Sequence, residues 1–410
     1  MKTLLFFIVL LTSPFCRAQV WQTISSGTTQ KLNSVHFAEA SIGYIGGNDS
    51  LLLKTTDAGK TWVRQAVDIP FQTSRDIIDV YFENEMKGYV LFSNHTGLYN
   101  TTDGGATWVL DSINNTNMCF KNCLYFNDFK NGFVGGSMCF QGETVTQRVN
   151  GTWATPNTVG SWDASMQITN FDFLDNQRGL ASATSEYFFK TIDGGQTWDS
   201  VSSSLDTTGT SDVVFVNDTL AYATNPNTGI HGILISTDGG STWATDHSST
   251  TFFYPGFNCA AKDKRQTAHF GGFPSWGTRG LILSKKIKGS WWTSDVDHPI
   301  NDMAQAYDSV MFAVGDSGLI VTNVDPQVLS VPGETKTTLK IYPNPSNGKF
   351  KIEGEIVGDV MVFSALGKAV LKAKKDSSVL ELDLSAQSDG LYFVKMSTAS
   401  GLVLQKIIKR

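Results

Sequence analysis

The stretch TTDAGKTW, residues 55–62, follows an alternating apolar run and places an acid, a glycine, a hydroxyl and a tryptophan within eight positions. Similar stretches return as TTDGGATW at 101–108, TIDGGQTW at 191–198 and STDGGSTW at 236–243. Self-similarity with a period of about 45 residues is the sequence signature of a repeat protein. We call these four stretches the box hairpins, and their recurrence decides the predicted fold.

More than four units appear when the chain is aligned on the tryptophans. Each unit opens with a pattern like SVHFAEASIGYIGG at 34–47, and related openings start near residues 79, 123, 170, 212, 257 and 302, which gives seven units. In the third unit the box is reduced to QRVNGTW, with Arg148 where the acid would fall. Four short strands in each unit of about 45 residues are typical of a β-propeller blade. We therefore predict an all-β chain with a seven-bladed β-propeller.

The two ends of the repeat series complement each other. The seventh unit stops at IVTNVD without a closing tryptophan strand, whereas the chain offers VWQTIS at 20–25 ahead of the first unit. Placing Trp21 on the outer strand of the last blade completes the ring. A ring closed by its own N-terminal strand has no exposed sheet edge that could pair with another chain.

The box residues have a structural interpretation. A short carboxylate after the third strand can accept backbone N–H bonds and fix a turn, and glycine takes positive φ at no steric cost. A tryptophan can bury its ring between blades and donate its indole N–H. The residues predicted to act in this way are Asp57, Gly59, Trp62, Asp103, Gly105, Trp108, Asp193, Gly195, Trp198, Asp238, Gly240 and Trp243.

The box hairpins resemble the Asp-box (BNR-like repeat), the S-x-D-x-G-x-T-W hairpin of sialidases and several other propeller families. In those families the box lies between the third and fourth strands, away from the ligand face, so the resemblance implies a structural role. The opening at 34–47 together with TTDAGKTW also resembles the photosystem II assembly-factor-like family of single seven-bladed propellers. That family's photosynthetic members use an arginine patch, which we do not find, so a photosystem role is not expected.

The chain ends differ in character from the repeats. Residues 1–18, MKTLLFFIVLLTSPFCRA, have a basic tip, an apolar core and a small residue before the cut, which predicts a secretory signal peptide. Cys16 suggests a lipid anchor, but Phe15 occupies a position where such signals need a small residue. We predict the propeller at 19–324, a linker at 325–338 and a small Ig-like β-sandwich at 339–410.

The tail closely resembles the C-terminal sorting domain of the type IX secretion system. The similar segments are, in order, YPNPSNGKF at 342–350, SALGK at 364–368, LDLS at 382–385, GLYFVK at 390–395 and KIIK at 406–409. The resemblance implies export by the type IX machinery, which would be a partner of this domain. It predicts a protein that is secreted or held on the outer cell surface.

Composition limits the remaining function classes. The net charge is −6, with 11 basic against 7 acidic residues in 337–410 and 21 against 31 in the rest. An acidic body argues against nucleic-acid binding. Outside the signal no segment approaches the roughly 20 apolar residues of a transmembrane helix. We expect no cofactor, no metal site and a monomer, and we consider a disulfide among Cys119, Cys123 and Cys139 plausible in an oxidising compartment.

Two functions compete for the propeller. Loops between second and third strands and between blades carry aromatic, amide and charged residues suited to glycan or protein ligands; the candidates are Asn48, Asp49, His95, Trp162, Tyr254, Trp276 and Arg279. The alternative is a secreted glycoside hydrolase, which needs two carboxyl groups about 5 to 10 Å apart. We expect a non-catalytic binding or adhesion scaffold, because the sialidase F-R-I-P stretch is absent and the central body has only six arginines.

Overall fold

The computed structural model describes residues 21–69, 76–93, 97–111, 113, 118–138, 142–160, 166–202, 209–225, 232–247, 256–274, 279–287, 289–326, 329, 340–354, 357–364, 369–398 and 401–410. The chain forms two compact units, Met1–Leu329 and Ser330–Arg410. Their boundary falls inside the segment predicted as a linker.

The first three sheets of the larger unit follow the repeat units along the chain. Short alternating apolar runs that end at glycine or at acid-glycine turns favour strands rather than helices. After β1 (Gln22–Ile24), the strands of sheets 1 to 3 are β2 (Leu32–Glu39), β3 (Ile42–Gly47), β4 (Leu51–Thr55) and β5 (Val63–Gln65); β6 (Ile77–Phe82), β7 (Gly88–Phe92), β8 (Gly97–Thr101) and β9 (Val109–Asp111); and β10 (Met118–Asp128), β11 (Asn131–Met138), β12 (Gly142–Val149), β13 (Thr152–Trp153) and β14 (Asn157–Thr158).

Sheets 4 to 7 repeat the same antiparallel order. Their strands are β15 (Ile168–Phe173), β16 (Gly179–Ala183), β17 (Tyr187–Thr191) and β18 (Asp199–Ser202); β19 (Asp212–Phe215), β20 (Ala221–Thr224), β21 (Ile233–Ser236) and β22 (Ala244–His247); β23 (Gly256–Lys262), β24 (Thr267–Phe273), β25 (Gly280–Lys286) and β26 (Trp291–Val296); and β27 (Ile300–Tyr307), β28 (Val310–Gly315) and β29 (Ile320–Thr322), completed by β1.

The N-terminal strand β1 supplies the outer strand of sheet 7. Gln22, Thr23 and Ile24 pair antiparallel with β29 in the order β1-β29-β28-β27. Trp21, directly before β1, is buried in a cluster with residues of sheets 6 and 7. The pairing is the one expected from the unfinished seventh unit.

Apolar clusters fill the seams between neighbouring sheets. Within the described residues there is one such cluster for each pair of neighbours, including sheets 7 and 1, where Phe312 and Ile320 pack with Leu32 and Ile45. The first strands of successive sheets touch each other, and β27 of sheet 7 touches β2 of sheet 1. The seven sheets therefore form a closed cycle in which each sheet buries both faces on its neighbours.

The smaller unit consists of two sheets around one core. Sheet 8 has the order β30-β31-β34 and sheet 9 the order β33-β32-β35-β36. Side chains from both sheets, such as Phe350 and Val394, share one buried cluster. The strands are β30 (Lys340–Tyr342), β31 (Lys349–Glu353), β32 (Gly358–Ser364), β33 (Ala369–Lys375), β34 (Val379–Asp383), β35 (Gly390–Thr398) and β36 (Gly401–Lys409).

Helical structure is almost absent from the part of the chain that the structure describes. A 3₁₀ turn, Asp316–Gly318, follows β28. Among the described residues, no helix has the length and apolar character needed to cross a membrane.

Candidate functional site

A cavity of about 340 Å³ lies where the first strands of sheets 1 to 7 meet. Every one of these strands contributes side chains to its wall, and most of the lining side chains are polar. Ligand sites in proteins are commonly concave and few per molecule. We therefore take this central cavity, together with the turns at its rim, as the candidate functional site.

The first lining position of each strand ties one sheet to the next. Six of its seven residues donate a side-chain hydrogen bond to a backbone carbonyl at the start of the following first strand. The bonds are Asn33 to Ile77, Asn122 to Ile168, Thr169 to Thr210, Ser211 to Phe257, Asn258 to Ile300 and Asn301 to Leu32. In sheet 2 the position holds Ile78, which has no side-chain donor. These polar side chains therefore satisfy buried carbonyls between sheets.

The second lining position carries three carboxylates, which we call the ring aspartates: Asp79, Asp212 and Asp302. Asp212 is buried and the other two are half-buried. Each accepts a backbone N–H from the following sheet, at 2.7 Å from Leu124, Ala260 and Val35 respectively. Each also accepts the N–H of its own next residue, at 2.7 to 2.8 Å. Removing one of these carboxylates would leave two buried N–H groups without an acceptor. The carboxylates therefore hold neighbouring sheets together, and we call these contacts latches.

Burial dominates the electrostatics of the ring aspartates. It raises the pKa of Asp79 to about 6 and that of Asp302 to about 7, against the lowering effect of their N–H donors. The negative charge of Asp79 adds to the rise at Asp302, and burial raises the pKa of Asp212 well above its ordinary value. A buried carboxyl resists ionisation because it has lost its hydration.

Two cysteines occupy the second lining position in sheets 3 and 6. Cys123 and Cys259 are buried free thiols, and burial raises the pKa of both well above the ordinary thiol value. Cys123 is one of the three cysteines of the predicted disulfide; in this structure its thiol is free and lies in the seam between sheets 3 and 4. The side chains of Cys119 and Cys139 lie outside the described residues, so a bridge between them stays a prediction.

Aromatic side chains line the cavity farther along the first strands. His36 lies against Tyr81, with ring centroids 5.0 Å apart, and its Nε2 lies 2.9 Å from the carbonyl oxygen of Phe82. Because a carbonyl can only accept, Nε2 carries the proton and Nδ1 is left as an acceptor. Burial lowers the pKa of His36 to about 4 and raises the pKa of Tyr81 and Tyr125. At neutral pH this part of the wall is uncharged.

Of the predicted ligand residues, Asn48, Asp49 and Arg279 fall in the described part of the chain. Asn48 and Asp49 lie in the turn between β3 and β4, where Asn48 accepts a bond from Asn33 at 3.0 Å. Asp49 is exposed, accepts a bond from Gln30 and donates its N–H to Asp76 at the start of the next sheet. Arg279 is exposed directly before β25. His95, Trp162, Tyr254 and Trp276 lie outside the described residues.

In the structure, Asn48 bonds to Asn33, one of the amides at the first lining position of the cavity. Asp49 and Arg279 lie at the surface. All three residues lie in connections between the second and third strands of their sheets, at the end of the sheets where the first strands begin. The box hairpins connect the third and fourth strands, so they lie at the other end. We call the end with Asn48 and Asp49 the axial face.

Each box aspartate closes its own hairpin. The carboxylate of Asp57 accepts the hydroxyl of Thr55 at 2.8 Å and the N–H and hydroxyl of Thr61 at 2.9 and 2.6 Å. The same bonds recur at Asp103, Asp193 and Asp238. The hydroxyl of Thr107 is the main reason why the pKa of Asp103 falls to about 2. All acceptor positions thus serve the turn.

The glycine and tryptophan of the box contact the preceding sheet. Gly195 has φ +83°, and a Cβ atom placed there would lie 2.4 Å from the ring of Phe133 in sheet 3. Trp243 stacks on Phe188 of sheet 4 at 4.2 Å, and Trp62 meets Phe312 of sheet 7 edge-on. The rings therefore pack between sheets as expected. Within the described residues, the buried indole N–H groups of Trp62, Trp108, Trp198 and Trp243 have no hydrogen-bond partner, so the expected indole bond is not formed there.

In sheet 3 an ion pair between two sheets replaces the box aspartate, and we call it the charged clasp. Arg148 bonds the carboxylate of Asp111 on the outer strand of sheet 2 and the hydroxyl of Tyr89. Trp153 donates its indole N–H to the same carboxylate at 3.0 Å. The two charged side chains are only 10% and 12% exposed. The position that looked like a decayed box therefore joins two sheets, and Arg148 also bonds the carbonyl of Gly151 within its own hairpin at 3.1 Å.

Sequence reasoning missed the ring aspartates and the amides beside them. Their signal is a polar pair at the start of six of the seven first strands, just before an apolar residue, as in NS at 33–34, NC at 122–123, SD at 211–212 and ND at 301–302. The pair varies in residue type, so it is weaker to the eye than the box. In the described part of the chain, no group of three or more His, Cys, Asp or Glu side chains is placed to hold a metal.

Comparisons with solved structures concern the fold. The chain is similar to YCF48 bound to D1 peptide, with 16% identity over 74% of this chain and 97% of that one, and a TM-score of 0.57. It is similar to the WD40 beta propeller domain of Doa1, with 12% identity over 74% and 96% and a TM-score of 0.54. At such identities the likeness shows the architecture alone, which is that of β-propeller proteins.

A third solved structure also spans the smaller unit. The chain is similar to PorZ, an essential bacterial surface component of the type-IX secretion system of Porphyromonas gingivalis, with 13% identity and a TM-score of 0.51. The match covers 91% of this chain and 59% of PorZ. No curated protein matches the sequence significantly.

The smaller unit is identified by its family. Residues 340–410 match the family described as the secretion system C-terminal sorting domain. The match begins at β30 and covers every strand of sheets 8 and 9. The chain therefore combines a unit with propeller-like architecture and a sorting tail of the type IX system, which indicates a secreted or surface protein.

Proposed function

We propose that the protein is exported by the type IX machinery and acts outside the cell, in solution or on the surface, as a non-catalytic binding scaffold for glycan or polypeptide ligands. In this proposal the seven sheets are the blades of one seven-bladed propeller at 19–324, and 339–410 is an Ig-like sandwich. Residues 1–18 are a signal peptide that is removed. The observation that carries the proposal is the sorting-domain match at 340–410.

The state of the carboxylates supports binding rather than hydrolysis. A glycosidase needs one carboxyl group that can give a proton and a second that can attack or activate water. In the described residues, the ring aspartates accept backbone N–H groups of two sheets, and the box aspartates accept turn donors. Such carboxylates cannot approach a substrate without breaking the contacts that join the sheets or close the box hairpins.

The axial face is the proposed ligand surface. Its turns differ from sheet to sheet, whereas the box hairpins are nearly identical and lie at the other end. Asp49 and Arg279 are exposed there and are candidates for direct contact. The structural neighbour YCF48 has been captured with a peptide, which makes a polypeptide ligand one of the two classes to be tested.

Export is tested first. The full chain and a variant ending at residue 339 are expressed in a bacterium with a type IX system, and the protein is quantified in the periplasm and outside the outer membrane. The full chain should appear outside, and the shortened chain should accumulate in the periplasm. Equal amounts of both outside the cell would contradict the export part of the proposal.

Binding is tested with the purified full chain on glycan arrays and peptide arrays, with chromogenic glycosides assayed in parallel. Asp49→Ala and Arg279→Ala should weaken binding at unchanged melting temperature. The control Lys60→Ala removes an exposed charge from a box hairpin at the other end and should leave binding unchanged. Turnover of a glycoside that is lost on replacing an axial carboxylate would favour the hydrolase instead.

A further inference from the structure

The two sheets of the smaller unit present outer faces of different chemistry. Side chains alternate between the faces of a strand, so residues next to those of the buried core point outward. Val360, Val362, Val394 and Ile407 belong to the core. Their neighbours on β32, β35 and β36 therefore form the outer face of sheet 9, opposite the face that packs on sheet 8.

The outer face of sheet 8 neutralises its own charges. Lys340 pairs with Glu353 at 2.8 Å, and Lys351 pairs with Glu381 at 2.9 Å, both directly across neighbouring strands. The bond from Lys351 lowers the pKa of Glu381. A partner would have to break these pairs to use the charges, so this face offers little for recognition.

The outer face of sheet 9 has an apolar centre. Phe363 lies directly across from Phe393 on neighbouring strands, and Leu391 lies across from Ile408. Met361 is two residues from Phe363 on the same face. All five side chains are half-buried rather than covered. A sheet face with this composition is more apolar than a solvated outer face needs to be.

Lysines without acidic partners flank this apolar centre. Met361 has Lys372 on one side and Lys395 on the other, and Phe393 has Lys406 beside it. Within the described residues, no ion pair within 4.0 Å joins these three lysines or Lys374 to an acid. Asp359 is the one acidic residue in the four strands of the sheet.

We infer that the outer face of sheet 9 is the docking surface of the sorting domain, and that its partner is a protein of the export apparatus with carboxylates around an apolar patch. The inference rests on the proposed export function. Interfaces commonly combine an apolar centre with a charged rim, and unpaired rim charges of one sign select a partner of the opposite sign. The apolar side chains are half-buried in a broad sheet, so they suit a facing protein surface better than insertion among acyl chains.

The test compares matched variants of the two faces in the full chain. Lys395→Gln with Lys406→Gln removes two rim charges from sheet 9, and Lys349→Gln with Lys351→Gln removes two from sheet 8. Phe393→Thr removes an aromatic ring from the apolar centre, and Tyr342→Thr removes an exposed one from sheet 8. Export is measured as the rate of appearance outside the cell, and thermal unfolding of each purified variant is measured in parallel.

The expected result is about tenfold slower export for the sheet 9 variants and an unchanged rate for the sheet 8 variants. Unchanged export of the Lys395→Gln/Lys406→Gln chain overturns the inference, as does an equal loss for both faces. These lysine changes leave the core intact, so they decide the question even if Phe393→Thr fails to fold.

Two further readouts distinguish the other causes. Binding of the full chain to phosphatidylcholine vesicles containing phosphatidylglycerol, lost in the sheet 9 variants, would assign the face to a membrane and overturn the protein partner. If instead the shortened chain ending at 339 is exported as well as the full chain, the proposed function itself fails. Failure of the inference alone leaves that difference between full and shortened chains intact.

Discussion

Two sets of aspartates do different work in the larger unit. The box aspartates lie near the surface and bond only to their own turns, as Asp193 does with Thr191 and Thr197. The ring aspartates line the central cavity and bond across the seams, as Asp302 does with Val35 of sheet 1. The conspicuous repeat therefore closes single sheets, while a less regular position joins the sheets to each other.

The same contrast appears in their pKa values. Bonds from the hydroxyl and N–H of Thr197 lower the pKa of Asp193 to about 2, whereas burial raises that of Asp302 to about 7. A lowered carboxyl pKa stabilises the fold at neutral pH, and a raised one works against it. The number of hydrogen bonds to a carboxylate therefore does not decide whether its pKa rises or falls, because loss of hydration can outweigh them.

The largest effect is expected where a hairpin joins two sheets. Arg148→Met leaves the carboxylate of Asp111 in the seam without its cation, and breaking a buried ion pair costs about 3 to 5 kcal/mol. The free energy of unfolding of the variant, measured by denaturant titration, should fall by this amount. A loss below about 1 kcal/mol would mean that the Arg148–Asp111 pair stabilises the fold no more than an exposed surface ion pair does.

The next effect tests a ring aspartate. Asp302→Ala removes the acceptor of the buried N–H groups of Val35 and Met303, which should cost about 2 to 6 kcal/mol at about 1 to 3 kcal/mol for each stranded group. Asp302→Asn keeps one oxygen acceptor and should cost less. Sheet 4 already holds an amide at this position, Asn170, which accepts the N–H of Phe171. Equal losses for both variants would mean that the latch is not what stabilises the seam.

These latches mark the limit of sequence reasoning about the fold. The box, the period and the unfinished seventh unit predicted the strand order and the role of β1, because each is a local pattern with one geometric solution. The latches join residues about 45 positions apart, as Asp79 and Leu124 are, or at the two ends of the unit, as Asp302 and Val35 are. Their pairing depends on which strands become neighbours, so it is visible only in the assembled ring.

Two glycines allow the stability effect of turn geometry to be distinguished from that of close packing between sheets. Gly195 and Gly105 have φ of +83° and +91°, but only Gly195 faces a close neighbour, with Phe133 at 2.4 Å from an added Cβ against 3.5 Å to Trp108 at Gly105. Gly195→Ala should cost about 2 to 4 kcal/mol, from strain together with overpacking, and Gly105→Ala about 1 to 2 kcal/mol from strain. Equal losses in unfolding titrations would show that close approach of the sheets adds nothing.

The smallest effect is expected at a box aspartate. Asp193→Ala removes acceptors from an exposed turn and should lower the free energy of unfolding by about 0.5 to 2 kcal/mol, by analogy with lost helix caps. Binding at the axial face should not change. A loss of ligand affinity at unchanged stability would refute the structural assignment of the box.

The candidate site was predicted less completely than the fold. The axial end was deduced from strand order, but the bond that Asn48 accepts from Asn33 was not predicted. Arg148 was read as a lost acid, although it replaces the box by a clasp with Asp111. In both cases the function of a polar residue depends on its partner in another strand, and a single sequence does not name that partner.

The difference between the box aspartates and the ring aspartates is tested most directly by the pH dependence of the unfolding free energy. A raised carboxyl pKa contributes stability that is full near pH 4 and is lost as the pH rises through about 6 for Asp79 and 7 for Asp302. All ten tryptophans lie in residues 21–292, so their fluorescence reports the larger unit alone. The unfolding free energy is measured from pH 5 to 8 for the native chain and for Asp79→Asn/Asp302→Asn. The double variant should lose less stability across this range than the native chain, and an identical pH dependence of the two would contradict the account.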